Sequence, residues 1–363
     1  MSTRRRTLGV TGATGTLGAA WLAHVLAHRP DWRAIALVRQ PAQAEQRLRA
    51  LSAGIRRRIT LVRADLAQLH FCAATLDQLR RVNAGWWHFA ARINLAADDA
   101  TAAGALAVND RGTHDLLEVL RHIASAAPFY HVSTAYVAGQ QTGSIAEQVG
   151  EDTVRFHNPY EQSKAAAEKH VWRYLMEGRS GAILRPSVVV NAEAPDTRGS
   201  LPALFARAVF AAASARESAL HVDLAPTARI NLVTREWVIR AVAALTGRES
   251  APQVYHLTAP ADSGIMPLAR AITSAIPGLR LIFPPDAVPE TNAASRFLTR
   301  TLGNARAYFA DGVTFDRRNL ERALPPHLAR ESCDLAALVR RHLELSCGNP
   351  FVGRVPALCG RLS

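Results

Sequence analysis

The sequence lacks the apolar segments that anchor a chain in a membrane or direct it to secretion. No stretch reaches the roughly 18 uninterrupted apolar residues of a membrane helix. The most apolar candidate, residues 201–213, is short and contains Arg207. The basic residues before Thr7 are not followed by the apolar run and cleavage site of a secretory signal. We therefore expect a cytoplasmic protein without a membrane span.

Cysteine is scarce, and its positions do not match the usual metal-binding and disulfide patterns. The four cysteines are Cys72, Cys333, Cys347 and Cys359. They form no C-x-x-C pair, and none lies beside histidines at the spacing of a zinc site. We expect reduced, structural thiols and no bound metal.

Acidic residues are the minority charge. Asp and Glu total 30 against 43 Lys and Arg, so the formal net charge is +13, and arginine supplies almost all of the basic residues. Such a surplus fits a nucleic acid, a phosphate-rich cofactor or an acidic protein partner. It fits equally well an Ala- and Arg-rich composition without such a partner. The tight basic runs, residues 4–6 and 56–58, are only three residues long, so an arm that binds nucleic acid is not predicted.

What the sequence does contain is an alternation of short apolar runs and helical segments. Apolar residues make up 48% and charged residues 20% of the 363 residues, as in a globular protein with a sizeable core. The predicted strands are 8–11, 34–38, Ile59–Arg63, 86–89, 129–133 and 182–186, and the predicted helices are 17–27, 105–123 and 160–175. This order predicts an α/β fold with a doubly wound parallel sheet, the Rossmann arrangement.

The pattern loosens after about residue 190. We expect residues 1–190 to form the Rossmann domain and residues 191–363 to form mainly a smaller, substrate-binding region. Short strands at 230–233 and Gln253–Leu257 predict that segments of this region return to the main sheet. Residues 201–220 are expected either to form a helix along an apolar acyl channel or to pack on the core.

The strongest local signal is a glycine-rich turn between the first predicted strand and helix. Gly12, Gly15 and Gly18 follow a G-x-x-G-x-x-G spacing. Gly12 permits a tight turn, Gly15 lets the backbone approach a pyrophosphate, and Gly18 lets the helix pack closely on the strand. The free N–H groups of the helix start complete a dinucleotide site. Its predicted contacts are Gly12, Thr14, Gly15, Thr16, Leu17 and Gly18.

The end of the second predicted strand bears on which dinucleotide is bound. An NAD site usually has Asp or Glu there to bind the ribose hydroxyls, whereas this sequence has Arg39. A guanidinium at that position would pair with a 2′-phosphate, which favours NADPH; a solvent-facing arginine is the alternative. Arg47 either adds to the same pocket or lies on the surface. Asp65 after the third strand is expected to contact the adenine amino group, with Leu66 beside it.

Tyr160 and Lys164 lie four residues apart at the start of a predicted helix. That spacing brings both side chains to one helix face. Because an ammonium and an oxidised nicotinamide favour the phenolate, we expect the pKa of Tyr160 to be lowered toward neutrality, which would make it the general acid–base. Lys164 is also expected to hold the nicotinamide ribose hydroxyls.

Hydroxyl side chains follow the strand predicted at 129–133. Thr134 is expected to hydrogen-bond the substrate carbonyl and orient it toward Tyr160. Ser133 is the alternative for the same role. The competing interpretation of Thr134 is a hydroxyl that caps the backbone at the end of a strand. Thr134, Tyr160 and Lys164 are therefore the predicted catalytic residues.

These motifs together resemble the extended short-chain dehydrogenase/reductase superfamily over roughly residues 7 to 260. Three further segments resemble the superfamily: 88–91, 109–113 and 185–187. The resemblance implies that Ala90 and Ala91 line the cofactor cleft, that Asn109 is the superfamily's helix asparagine, and that Pro186 flanks the nicotinamide. Ala90, Ala91, Asn109, Tyr160, Lys164 and Pro186 are accordingly predicted as cofactor contacts.

Within the superfamily, the sequence is most similar to the thioester reductase and fatty acyl-CoA reductase branch. The similar segments are 37–39 with 46–48, 132–137 with Gly139, and 230–233 with Trp237 and Val238. The resemblance implies hydride transfer from NADPH to an acyl thioester on coenzyme A or an acidic carrier protein in trans, and collapse of a hemithioacetal to an aldehyde, with or without further reduction to an alcohol. Asn191 and Glu236 depart from the branch, where glycine and aspartate are usual.

Other functions share parts of this pattern. A nucleotide-sugar epimerase or dehydratase has the same fold, but it usually binds NAD and has an acidic residue where Arg39 lies. A ketone or aldehyde reductase uses the same three residues on another carbonyl. A regulatory protein that senses NADP(H) usually lacks the tyrosine or the lysine, and this chain has both.

Overall fold

The computed structural model describes residues 6–96, 98–150, 154–191, 201–247, 253–276, 278–283, 292–309 and 312–347. The chain divides into two compact units. The first comprises Met1–Pro186, Ile239–Leu257 and Thr314–Ala329, and the second comprises Ser187–Val238, Thr258–Val313 and Arg330–Ser363.

The strands are β1 (Thr7–Thr11), β2 (Arg33–Val38), β3 (Ile59–Arg63), β4 (Gly85–His88), β5 (Phe129–Val132), β6 (Gly143–Ile145), β7 (Gly181–Pro186), β8 (Val188–Val190), β9 (Ala219–His221), β10 (Arg229–Ile230), β11 (Leu232–Thr234), β12 (Gln253–Leu257), β13 (Ser263–Gly264), β14 (Arg280–Ile282) and β15 (Val313–Phe315). The α-helices are α1 (Thr16–His28), α2 (Pro41–Leu48), α3 (Ala53–Arg56), α4 (Ala73–Leu79), α5 (Asp99–Ala105), α6 (Gly112–His122), α7 (Pro159–Met176), α8 (Leu201–Ser214), α9 (Arg235–Leu245), α10 (Ile265–Ala275), α11 (Ala293–Leu302), α12 (Arg318–Ala323), α13 (Pro326–Ala329) and α14 (Leu335–Cys347).

The first unit is built on a seven-stranded parallel sheet in the order β12-β7-β5-β4-β1-β2-β3. The chain builds outward from β1 through β2 to β3 and then crosses back to β4 on the other side of β1. The carboxyl ends of β1 and β4 therefore flank a topological switch point, where open α/β sheets bind their ligands. The sheet confirms the predicted Rossmann α/β fold.

The strands of this sheet are apolar because parallel sheets are covered on both faces. Trp86 and Trp87 on β4 are 1% and 0% exposed, and they point to opposite faces of the sheet. The Trp87 ring lies 4.7 Å from that of Trp21 on α1 and 4.9 Å from that of Tyr130 on β5. These contacts fix α1, and with it the turn that precedes α1, against the centre of the sheet.

The helix predicted at 105–123 is in fact three segments. α5 is followed by a π-helical stretch, Leu106–Arg111, and then by α6. π-bulges of this kind are difficult to predict because they are rare and occur within otherwise regular α-helices. At the start of α6, a Cβ on Gly112 would lie 2.5 Å from the carbonyl oxygen of Leu66, so glycine allows the helix to approach the chain after β3.

The second unit has its own core, built around α8. Nine side chains of α8 are buried, and the helix packs against α11 and α14. Three two-stranded sheets, β8 with β11, β9 with β14 and β10 with β13, complete the unit. The stretch at 201–220 is thus a helix only as far as Ser214, and its apolar residues pack on a core. The strand predicted at 230–233 is divided at Asn231, whose side chain bonds Ala259 and Asp262.

Candidate active site

The glycine-rich turn connects β1 to α1. Gly12 has a φ of +69°, in the left-handed region that favours glycine. A Cβ at this position would lie 2.6 Å from the backbone nitrogen of Ala90, so glycine lets the turn pass close to the chain that follows β4. The Gly15 N–H donates to the Gly12 carbonyl at 2.9 Å and closes the turn.

The N-terminus of α1 is open to an anionic ligand. Its N-cap, Gly15, supplies no side-chain hydrogen bond, and the first turn carries no acidic residue. Gly15 and Thr16 are exposed, Thr14 and Leu17 are half-buried, and Gly18 is buried beneath the turn. The unpaired N–H groups and the positive end of the helix dipole are the features that bind a pyrophosphate. The chain therefore fits a dinucleotide at this turn.

Two arginines lie at the same edge of the sheet. Leu37 pairs with Thr11, so Arg39 follows the carboxyl end of β2 at the level of the glycine-rich turn. Arg39 is exposed and makes no hydrogen bond or ion pair with the described part of the chain. Arg47 on α2 donates from Nη1 to the carbonyl of Thr14 at 3.3 Å. Arg47 is itself exposed, so its part in the cofactor pocket stays a prediction.

Asp65 lies beyond the carboxyl end of β3 and is exposed. Its Oδ1 accepts from the Ala67 N–H at 3.1 Å and caps a short 3-10 turn that begins at Leu66. Leu66 is buried beneath α6. The second carboxylate oxygen of Asp65 stays available to a donor such as an adenine amino group.

A buried chain of hydrogen bonds links β1 to the helices behind the site. Thr11 Oγ1 lies 2.7 Å from His88 Nδ1, and His88 Nε2 lies 2.9 Å from Thr113 Oγ1. Thr113 Oγ1 donates to the carbonyl of Asn109 at 2.5 Å, and the Ala90 N–H donates to Thr11 Oγ1 at 3.2 Å. This hydrogen-bond network thus holds the segment 89–91 against the end of β1.

The directions of these bonds determine the state of His88. Because the single Thr113 hydroxyl hydrogen goes to Asn109, Thr113 must accept from a proton on His88 Nε2. In the neutral ring that burial favours, His88 Nδ1 accepts from the Thr11 hydroxyl. Burial, with the charge of Lys164 adding to it, lowers the pKa of His88 to about 3, in agreement with this assignment.

Asn109 connects the chain after β4 to α7. Its Nδ2 donates to Ser163 Oγ at 2.9 Å and to the Arg92 carbonyl at 3.1 Å, and its Oδ1 accepts from the Arg92 N–H at 2.7 Å. Ser163 Oγ donates in turn to the carbonyl of Tyr160 at 2.9 Å. Both amide hydrogens of Asn109 are therefore used within the protein. Asn109, which was predicted to contact the cofactor, holds Arg92 and α7 in position.

Tyr160 is the second residue of α7. Asn158 caps this helix by accepting from the Glu161 N–H at 3.0 Å, and Pro159 occupies its first position. The cap and the proline set where the helix begins and hence where Tyr160 lies. The Tyr160 side chain is half-buried, and its hydroxyl makes no hydrogen bond with the described part of the chain. It is therefore available to a ligand.

Thr134 and Ser133 follow the carboxyl end of β5, and both are buried. Thr134 Oγ1 accepts from the Tyr136 N–H at 3.3 Å, which is the backbone cap considered as the competing interpretation. The cap uses one acceptor site of the hydroxyl and leaves its hydrogen free to donate. The Ser133 hydroxyl has no partner in the described residues, so either hydroxyl is available to a substrate oxygen.

Lys164 is 1% exposed. Its Nζ donates to the carbonyl of Val132 at 2.7 Å and lies 3.1 Å from His131 Nε2. Burial lowers the pKa of Lys164 to about 7, and the Glu168 carboxylate opposes that change. The structure therefore places the lysine against the end of β5 and not in a hydrogen bond with the Tyr160 hydroxyl.

The expected direction of the pKa of Tyr160 was wrong for the protein alone. Burial raises that pKa well above 10, and the Glu161 carboxylate adds to the effect. The phenolate loses hydration in this position, and no cation forms a hydrogen bond with it to compensate. Tyr160 is accordingly protonated at neutral pH.

Sequence reasoning missed His131 and the role of His88. Both imidazoles are buried in the centre of the sheet and stack with ring centroids 5.3 Å apart. The available signal was a histidine in each of two otherwise apolar strands, β4 and β5, which pair with His88 opposite His131. Ala90 and Ala91 follow β4, and Pro186 ends β7; their contacts with a cofactor stay predictions.

A sequence model of the family described as Male sterility protein matches residues 10–242. The chain belongs to this family. The match begins at the end of β1 and ends within α9, so it includes the glycine-rich turn and all three predicted catalytic residues. No curated protein sequence matches the chain.

Solved structures of the same fold share little sequence with the chain. The terminal R domain from the myxalamid PKS-NRPS biosynthetic pathway has a TM-score of 0.73 at 22% identity, over 97% of this chain and 93% of that one. UDP-glucuronic acid 4-epimerase from Bacillus cereus has a TM-score of 0.64 at 17% identity, over 93% and 98%. The dTDP-glucose 4,6-dehydratase of Bacillus anthracis has 0.61 at 14% identity, over 93% and 96%.

The family, the sheet and the turn identify an NAD(P)-dependent oxidoreductase of the extended short-chain dehydrogenase/reductase superfamily. No helix within the described ranges is long and apolar enough to cross a membrane. Those ranges also contain no group of His, Cys, Asp or Glu side chains that would hold a metal ion. Cys72 and Cys333 are free thiols, and the side chains of Cys347 and Cys359 lie outside the described residues.

Proposed function

We propose that this protein reduces an acyl thioester with NADPH, giving an aldehyde or an alcohol. The observation that carries the proposal is the placement of Thr134, Tyr160 and Lys164 at the carboxyl ends of β5 and the start of α7, in a chain that resembles the thioester reductase branch. The similarity to a terminal R domain over nearly the whole of both chains supports the same branch.

NADPH fits the cofactor site. The pyrophosphate would lie on the N–H groups of 14–18, and the 2′-phosphate would pair with Arg39, whose guanidinium has no partner among the described residues. Arg47, which donates to the Thr14 carbonyl, would contribute a second positive charge. Asp65, Leu66, Ala90, Ala91 and Pro186 are the remaining proposed contacts. When bound, NADPH supplies the hydride for the carbonyl carbon.

The protein's own residues would orient and protonate the substrate. Thr134 donates its hydroxyl hydrogen to the thioester carbonyl, with Ser133 as the neighbouring alternative. Tyr160 then donates its proton to the oxygen as negative charge develops there. The raised pKa of Tyr160 keeps that proton in place at neutral pH, which suits the reductive direction. Lys164 holds the ribose hydroxyls of the cofactor.

The acyl carrier would be coenzyme A or an acidic carrier protein in trans, in the cytoplasm. Both carriers are anionic, and the chain has a net charge of +13. A nucleotide-sugar epimerase or dehydratase is the second candidate, since the B. cereus epimerase and the B. anthracis dehydratase share the fold and their structures contain NAD. The arginine at position 39 favours the reductase.

The test is consumption of NADPH and NADH with a panel of acyl-CoAs, acyl carrier proteins, aldehydes, ketones and nucleotide sugars, with Tyr160→Phe as the control. The proposal expects NADPH-dependent turnover of a thioester that the control lacks. Turnover of aldehydes or ketones alone would replace it with a carbonyl reductase. Conversion of a nucleotide sugar without net NADPH consumption would replace it with the epimerase or dehydratase. If the Tyr160→Phe variant replaced the wild type in cells without loss of function, that result would support an NADP(H) sensor.

A further inference from the structure

We infer that His131 is a positioning residue that holds the ammonium of Lys164 in place, an inference that rests on the role proposed above for Lys164. His131 lies on β5 and is 0% exposed. Its Nε2 lies 3.1 Å from Lys164 Nζ. The next residue, Val132, accepts from the same ammonium through its carbonyl at 2.7 Å. Two acceptors from adjacent residues thus fix Nζ at the carboxyl end of β5.

The chemistry of the two groups sets the direction of their bond. When Lys164 is charged, its ammonium has three hydrogens and no acceptor site, so His131 Nε2 accepts and carries no proton. The neutral ring then has its hydrogen on Nδ1, which has no partner in the described residues. His131 therefore ends the hydrogen-bonded path and does not relay a proton. The third hydrogen of the ammonium remains for a ligand hydroxyl.

The ring of His131 is itself held in place. It stacks on the His88 ring with an angle of 24° between the planes. His88 is fixed at both nitrogens by Thr11 and Thr113. Because Thr11 leads directly into the glycine-rich turn, the same buried network supports both the cofactor turn and the position of Lys164.

The surroundings of Lys164 give the contact an energetic role. The titratable groups that interact with it are His131 on β5, His88 on β4 and Glu168 on its own helix, α7. Burial disfavours the ammonium, and among these groups only Glu168 carries a charge that stabilises it. An acceptor at hydrogen-bond distance offsets part of the desolvation. Removal of that acceptor should therefore make Lys164 lose its proton at a lower pH.

The sequence offers a direct way to observe this lysine. Lys164 and Lys169 are the only lysines in the chain. Protein labelled with 13C at lysine Cε would show two resonances, and a pH titration would follow each. Lys169 lies on the same helix, has no bond to His131, and serves as the internal reference. The measurement needs neither cofactor nor substrate.

The matched variants are His131→Leu, which removes the acceptor, and His131→Gln, whose Oε1 can replace Nε2 as an acceptor. In His131→Leu, the midpoint of Lys164 should fall by about one pH unit, the value of one hydrogen bond to a charged group. The His131→Gln midpoint should stay close to that of the wild type. Equal midpoints for Lys164 in the wild type and in folded His131→Leu would overturn the inference.

The tautomer provides a second test if His131→Leu does not fold. In wild-type protein labelled with 15N at histidine, His131 should have its proton on Nδ1, with the resonance assigned by its loss in His131→Gln. A proton on Nε2 would overturn the inference.

Activity separates this inference from the proposed function. We expect kcat with NADPH and a thioester to fall roughly tenfold in His131→Leu and to recover in His131→Gln. If the Lys164 midpoint falls in His131→Leu but the wild-type protein has no thioester activity, the proposed function is refuted and the contact between His131 and Lys164 is supported. Full activity together with an unshifted titration would refute only the positioning role.

Discussion

Arg39 follows the carboxyl end of β2, where we propose that it binds the 2′-phosphate of NADPH. Substitution Arg39→Glu should weaken NADPH binding about 10- to 100-fold, because one charge-assisted hydrogen bond is lost and a repulsion is added. Binding of NADH should change little. Quenching of protein fluorescence by each cofactor would measure both dissociation constants.

Arg33 provides the matched control for that substitution. It is exposed on the same strand, β2, but at the opposite end from the glycine-rich turn. Arg33→Glu changes the net charge by the same amount and should leave the preference for NADPH intact. An equal loss of NADPH affinity in both variants would show that overall charge, and not a phosphate pocket at Arg39, determines the preference.

Tyr160 is proposed to supply the proton, and its hydroxyl contributes no hydrogen bond to the described fold. Tyr160→Phe should therefore lower kcat by about 10²- to 10⁴-fold, while the melting temperature and the affinity for NADPH remain near those of the wild type. Calorimetry and cofactor titration would check the last two. A variant that keeps a tenth or more of the wild-type kcat would rule out Tyr160 as the acid.

For single residues, local spacing indicated which side chains to assign to the site, but it did not indicate their hydrogen bonds or protonation states. Tyr160, Lys164 and the three glycines were all predicted as site residues from motifs of a few residues. The hydrogen bond between His131 and Lys164 joins residues on different elements, and no local pattern contains it. The raised pKa of Tyr160 depends on burial, which spacing does not report. The catalytic and cofactor assignments themselves remain predictions.

The turn between β1 and α1 requires glycine at position 12 for two reasons, its positive φ and the lack of space for a Cβ. Gly12 and Gly143 both have positive φ, at +69° and +82°, but a Cβ on Gly143 meets nothing within 4 Å. Gly143→Ala should therefore lower the free energy of unfolding by about 1–2 kcal/mol, the cost of a left-handed alanine. Gly12→Ala carries the same cost plus the clash with Ala90, and should also abolish cofactor binding. Urea unfolding of the two variants, with NADPH titration, measures the difference. Similar losses of stability and retained NADPH binding would refute the close approach.

Elements bounded by clear polar residues were predicted best. β3 and β12 have the predicted bounds, since apolar residues make up most of each strand. Boundaries failed where a side chain interrupts the backbone pattern. Asn231 bonds across to Ala259 and separates β10 from β11, and the π-helical stretch around Asn109 interrupts a helix of even apolar periodicity.

The whole molecule should lose stability in mild acid. Burial lowers the pKa of His88 and of His256 to about 3, and it lowers the pKa of His131 well below 6.5. Since the unfolded chain takes up these protons near pH 6.5 and the folded chain does not, stability falls as the pH drops below 6.5. Each such histidine contributes a loss of about 2 kcal/mol between pH 6.5 and pH 5.

Urea unfolding across that pH range tests the effect, and His256→Gln is the control. The variant removes one titrating group, so the fall in its free energy of unfolding with acid should be shallower than in the wild type. A free energy of unfolding that stays constant from pH 7 to pH 5 would contradict the assignment of neutral, buried imidazoles.

The fold of the first unit could be predicted because each strand and the helix after it have their own apolar periodicity. The glycine-rich turn marks where the first strand ends and the first helix begins. The extended superfamily was likewise confirmed. The second unit could be predicted only as a separate region, since its short strands and helices form a core through contacts distant in sequence. Its role in substrate binding, the preference for NADPH and the cytoplasmic location stay predictions.

The central claim is that hydride passes from NADPH to the carbonyl carbon of an acyl thioester. The most direct test is a reaction with NADPH deuterated at C4 of the nicotinamide and an acyl-CoA, analysed by mass spectrometry. We predict deuterium on the former carbonyl carbon of the aldehyde or alcohol, with release of an equal amount of free coenzyme A thiol. If the acyl-CoA and an acyl carrier protein both remain unreduced while an aldehyde, ketone or nucleotide sugar is converted, the claim is contradicted.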